Sequence, residues 1–183
     1  MTKLVKFKID EGNFEIGFKV SVQVGEEGEL YDSEFKGYLP PAVNIPNDYE
    51  SWQENYLKLS NSWCGGPIVG RAGNINDERG TLIQLAIDSA KDFHSNFVNW
   101  LNTENDKKFQ SLKKKLYQKL GDKNTEIRFI IQTDDPVLKK LPWHIWDLFT
   151  EEYTNAEVAI GANEFDRPPI IPISNQLGSG LEL

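Results

Sequence analysis

Apolar and polar residues alternate from the start of the chain. Val5, Phe7 and Ile9 are separated by Lys6 and Lys8, the period of a half-buried strand. Asp10-Glu11-Gly12-Asn13 has turn chemistry. Phe14, Ile16, Phe18, Val20, Val22 and Val24 then occupy every second position, so the two runs predict a long antiparallel hairpin with one apolar face. Ser33 to Leu39 reads as a third strand, with Phe35 and Leu39 on one side. After Pro40-Pro41 the period changes. Tyr49, Trp52, Tyr56 and Leu59 recur at helical spacing and predict a helix over 47–61. A longer helix is expected over 78–102, with Leu82, Leu85, Ala86, Ala90, Phe93, Phe97, Trp100 and Leu101 as its stripe. A third follows over 106–120, carrying Phe109, Leu112, Leu116 and Leu120, with Gly121 as its stop. The few polar residues between the last two predict that they form an antiparallel helical hairpin.

Residues 125–160 read as strand, turn, short helix, strand. Ile127, Phe129, Ile130 and Ile131 form a nearly continuous apolar run, the pattern of a strand covered on both faces. Thr133-Asp134-Asp135-Pro136 breaks it. A short helix is expected at Leu141-Pro142-Trp143-His144-Ile145-Trp146, and Ala156 to Ile160 reads as the returning strand. Ile170-Ile171-Pro172-Ile173 fits only an edge strand, because its proline lacks a backbone donor. The fold class is α+β: an N-terminal three-stranded unit over 1–41, a helical region over 42–124, a strand-helix-strand half over 125–173 and a tail over 174–183, together one compact domain.

Length and composition agree with a folded domain. The chain has 183 residues, of which 39% are hydrophobic and 11% aromatic, ample for a core. A net charge of −8 argues against general nucleic-acid binding, which needs a basic surface. One cysteine permits no internal disulfide and fits a reducing cytoplasm. No stretch approaches the ~20 apolar residues of a membrane span, and the N-terminus opens directly into a strand pattern with no signal-like run.

The candidate chemistry is sparse. Cys64, His94 and His144 are the residues from which a Cys–His pair would have to come. Their contexts, a helix stop, a long helix and a tryptophan-rich segment, favour structural roles, and their spacing matches no metal site. Gly65 to Gly73 is glycine-rich, yet no Gly-Lys-Ser/Thr follows, so it reads as a connector rather than a phosphate loop. Asp134-Asp135 and Glu151-Glu152 are a formal acid–base combination placed in turns. No catalytic, cofactor or metal residue is assigned. Two contact surfaces remain. Lys113, Lys114 and Lys115, with Lys107, Lys108 and Lys119, give one helix a basic face, a solvated surface or a contact for an acidic partner. Trp143 and Trp146 would plug the core or, if exposed, anchor an interface.

Three pieces of the chain, in order and spacing, cover nearly its whole length and resemble the N-terminal region of bacterial CHAT-domain proteins, a caspase-like family. They are Phe14 to Val20 followed by Gly25-Glu26-Glu27-Gly28; Phe35 to Pro41 followed by Tyr49 and Trp52; and Ile130 to Asp135 with Leu141-Pro142-Trp143-His144-Ile145-Trp146-Asp147 and Ala156 to Ala159. In that family the Leu-Pro-Trp segment precedes a core that supplies a catalytic histidine and cysteine for peptide cleavage. No residue here matches either position, so neither role is carried over. The resemblance implies a non-catalytic regulatory or scaffolding module that contacts a protein partner, such as a caspase-like chain or domain. Its alternative is an incomplete half of a cysteine peptidase whose histidine and cysteine lie on another segment or chain.

Overall fold

The computed structural model describes residues 2–64 and 75–161. The expected strand at 170–173, the tail at 174–183 and the glycine-rich stretch at 65–73 lie outside them. The elements run β1 (Lys3–Asn13), β2 (Gly17–Glu26), β3 (Ser33–Leu39), α1 (Ile45–Cys64), α2 (Ile75–Asn102), α3 (Lys107–Leu120), β4 (Ile127–Gln132) and β5 (Ala156–Gly161). The α+β class is as the sequence pattern requires.

The two groups of strands form one sheet rather than two. Its order is β3-β2-β1-β4-β5. The N-terminal hairpin and third strand are antiparallel, while β1–β4 and β4–β5 are parallel. Strand β1 is therefore central, and the sequence segments 1–41 and 125–161 share a core. Val5, Phe7, Val22, Phe129 and Ile131 are among the fully covered residues on the helical side. The other side of β4 differs from expectation. Arg128 is exposed and Ile130 half-buried, so the apolar run alternates after all.

The first turn also moves. β1 continues through Asp10 and Glu11 to Asn13, and a bulge between Ile9 and Gly12 absorbs the extra residue. Asn13 Oδ1 accepts hydrogen bonds from the backbone N–H groups of Glu15 and Ile16, both at 2.9 Å, and fixes the turn there. Ile16, expected inside, is 61% exposed at the tip. Glycine is required on both sides. Gly12 has φ +150° and a Cβ there would lie 2.2 Å from Gly17 O; Gly17 has φ +86°.

The helical pairing is also corrected. α2 lies along α1, not along α3, and α3 packs across β3. Asn96 on α2 donates to Asp48 on α1 at 2.8 Å. Trp52 and Phe93 stack between the two helices at 5.8 Å. The stripe Phe109, Leu112, Leu116 and Leu120 is buried as expected. Asp106 caps α3 through bonds from the Lys108 and Phe109 N–H groups, at 2.8 and 2.9 Å. At the far end Lys3 Nζ donates to the carbonyls of Lys119 and Leu120, a cation against the helix C-terminus.

Candidate interaction surface

The Leu-Pro-Trp segment crosses from β4 to β5 as broken turns, not as one short helix. Leu138–Lys140 and Trp143–Ile145 are 3-10 turns, and Leu148–Glu152 is a π-helical turn. Asp135 starts the series, accepting from the N–H groups of Val137 and Leu138 at 2.8 and 2.9 Å. Trp143 Nε1 donates to Leu138 O at 2.8 Å and ties the second turn back to the first. Asn102, the last residue of α2, donates to Asp147 at 2.6 Å and pins the segment from outside.

Both tryptophans of this segment are 1% exposed. Trp143 meets Phe97 and Trp100 at 5.7 and 6.0 Å. Trp146 sits among Phe7, Phe109, Phe129 and Phe149. Neither presents an anchor to a partner, so the interface reading of Trp143 and Trp146 gives way to core packing. The physical cause is the aromatic shell that three layers, sheet, α2 and α3, close around them.

The basic triplet divides. Lys113 is half-buried, its Nζ 3.5 Å from Leu101 O and 3.4 Å from Asn102 Oδ1, and burial holds its pKa below the usual lysine value against the pull of Asp147 and other carboxylates. It joins α3 to the end of α2 and is not free for a partner. Lys114 and Lys115 are exposed, as are Lys107, Lys108 and Lys119. Next to Lys113 on this helix, burial, with help from Glu152, pushes the Tyr117 hydroxyl up to about 12. Tyr117 stacks on Tyr153 at 6.2 Å.

The remaining candidate groups are kept apart. Arg79, near the start of α2, donates to Ser62 O near the end of α1. Cys64 therefore lies at that end of the helix pair, while His94 is 15 residues further along α2, roughly 22 Å at the α-helical rise. His144 is exposed in the second 3-10 turn. Along the helix pair, His94 is thus well removed from the end at which α1 stops. Asp134-Asp135 follows the C-terminal end of β4, and Glu151-Glu152 precedes the N-terminal end of the parallel β5. The two acidic pairs are separated by roughly one strand length, ~20 Å. Glu152 is bound to Lys123 at 2.5 Å instead.

A cleft of about 570 Å³ does open beyond the C-terminal ends of β1 and β4, lined by Asp10, Glu11, Lys19, Lys36, Asp134 and Asp135. This is the place where open α/β sheets bind ligands. Four of its charges, however, are already in ion pairs: Asp10 with Lys8 at 3.0 Å, Glu11 with Lys19 at 2.8 Å and Asp134 with Lys139 at 4.0 Å. Among the described residues no group of three or more His, Cys, Asp or Glu is placed to hold a metal ion.

Among the described residues the sheet has two margins, β3 and β5, each paired on one side only. Among the described residues β5 is hydrogen-bonded on one side only, to β4. Ala159 and Ile160 are exposed on it, Ile160 to 47%. No helix among the described residues is long and apolar enough to cross a membrane. No family model matches the chain, and no curated protein or solved structure matches it either.

Proposed function

We propose that this chain is a non-catalytic regulatory or scaffolding module that works in the cytoplasm through protein–protein contact, in a system of the caspase-like CHAT type. The observation that carries the reading is the parallel run β1-β4-β5, with β5 bonded on one side among the described residues. Parallel strands are ordinarily found inside sheets covered on both faces. A strand whose outer backbone groups have no partner among the described residues, and which carries an exposed Ile160, is suited to strand addition by a partner. The exposed lysines of α3 offer a second, electrostatic contact for an acidic surface.

The test is capture from native cell extract with the chain as bait, read by mass spectrometry, alongside an Ile160→Lys variant. Recovery of a caspase-like chain by the wild type, lost in the variant, supports the proposal. Recovery of no protein, or equal recovery by both, overturns the β5 contact. A recovered chain carrying a catalytic histidine and cysteine that cleaves peptides only in the complex would make this the non-catalytic half of a peptidase.

A further inference from the structure

The sheet ends on one side at β3, whose outer backbone groups have no partner among the described residues. Side chains alternate along this margin. Glu34, Lys36 and Tyr38 stand on the face away from the helices, and Ser33, Phe35 and Gly37 on the helical face. Glu34 and Lys36 are exposed, and Phe35 is half-buried. Glu34 accepts from Gln23 Nε2 at 3.2 Å through one carboxylate oxygen and keeps the other. Among the described residues Lys36 makes no ion pair. An unpaired strand edge is a template for another strand.

The charge pattern of this edge matches its own copy. A twofold axis perpendicular to the sheet lays β3 antiparallel to a second β3 and keeps both sets of helices on one side. The axis then passes through a single residue, and that residue fixes every pair. Centred on Phe35, the register sets Glu34 against Lys36 of the second copy, and Lys36 against Glu34 of the second copy. Phe35 meets Phe35. Ser33 meets Gly37, so a small side chain faces the place where Leu112 of α3 comes closest to the strand. One step further, Asp32 falls opposite Tyr38, whose ring centre lies 5.5 Å from Lys108 Nζ. Neighbouring registers lose this match: centring on Glu34 opposes two glutamates, and centring on Lys36 opposes two lysines. Opposite charges across a strand pair are favourable and like charges destabilising. The β5 margin has no such self-match, because Glu157 is the one charge in that strand.

We infer that the chain pairs with a second copy of itself through β3, joining two five-stranded sheets into one across a twofold axis at Phe35. Two reciprocal Glu34–Lys36 pairs fix the register on one face, and a Phe35–Phe35 contact supports it on the other. The inference is independent of the β5 contact proposed above.

The experiment is sedimentation velocity of the full chain over a concentration series. The wild type is expected to show a monomer–dimer equilibrium. Glu34→Lys and Lys36→Glu each turn two attractive pairs into repulsive ones and should weaken the dimer about tenfold or more. Both side chains are exposed, so neither change should unfold the chain. An equimolar mixture of the two variants should dimerise again, because each supplies the charge the other lacks. The chain carrying both substitutions should do the same by itself. Ile160→Lys should leave the dimer intact. The inference is overturned if the wild type stays monomeric throughout the series, if neither charge reversal weakens the dimer, or if the mixture and the doubly substituted chain stay dissociated. Loss of the dimer on Ile160→Lys overturns it too, by moving the contact to β5.

Discussion

Gly37 of β3 lies directly beneath Leu112 of α3: a Cβ on Gly37 would come within 2.6 Å of Leu112 Cδ1 and 2.8 Å of its Cβ. This contact seats α3 on the sheet rather than on α2. Gly37→Ala should destabilise the chain by about 1–3 kcal/mol through overpacking. Leu112→Ala added to it should recover part of that loss. Denaturant melts of the two variants and the double mutant check this, and strict additivity would rule the contact out as the cause.

The two core tryptophans make opposite demands on hydrogen bonding. Trp143 Nε1 donates to Leu138 O, whereas Trp146 Nε1 has no partner. Each change to phenylalanine loses ring volume, but Trp143→Phe also leaves Leu138 O with only a long 3.4 Å bond from Leu141 N. Trp143→Phe should therefore cost about 1 kcal/mol more than Trp146→Phe. Equilibrium unfolding of the pair measures the difference.

Asp106 carries the start of α3. Asp106→Ala removes the acceptor for two backbone donors and should cost about 1 kcal/mol, and Asp106→Asn should recover most of it. Thermal melts of the three proteins are sufficient. A loss as large with asparagine as with alanine would point to the charge rather than the cap.

Alkaline pH should act through Tyr117. Burial holds its hydroxyl protonated in the folded chain to about pH 12, while the unfolded chain ionises near its ordinary value of 10. The unfolded state then binds fewer protons than the native state over this interval, so stability falls as pH rises. The stabilising share is complete below pH 10 and is lost as pH rises through about 12. Tyr117→Phe should flatten that limb of a melting-temperature profile, leaving the slope from Tyr31 and Tyr153, whose hydroxyls burial also pushes up.

Charge reversal at Lys114 and Lys115 separates contact from folding. Both side chains are exposed. Lys114→Glu with Lys115→Glu should change stability by no more than about 0.5 kcal/mol, yet reduce capture of an acidic partner, most strongly at low salt. Capture unchanged across salt concentrations would leave α3 out of the interface.

Local periodicity carried much of this architecture. The α3 stripe, β3 and β5 were legible because their spacing belongs to one element each. Pairing was not. Nothing local in Lys6 and Lys8 signals that β1 will run parallel to Ile130 and Gln132, and nothing in the short 103–106 link says that α2 prefers α1. The turn slipped because Phe14 and Ile16 keep the parity of β2, while the deciding feature was the Asn13 side chain bonded back to the chain. The tryptophan segment suggested a helix by apolar density, whereas Trp143 spends its indole N–H on closing a 3-10 turn.

The central place of β1 sets the order in which this sheet can be assembled. Lys3 pairs with Glu26, 23 residues away, but also with Ile127, 124 residues away. On the ribosome the hairpin and β3 emerge first, and one edge of β1, with Val5 and Phe7, must wait through all three helices before β4 arrives. That interval leaves an apolar strand edge unprotected in the nascent chain, so folding yield should depend more on elongation speed and chaperone supply than the stability of the finished sheet would suggest.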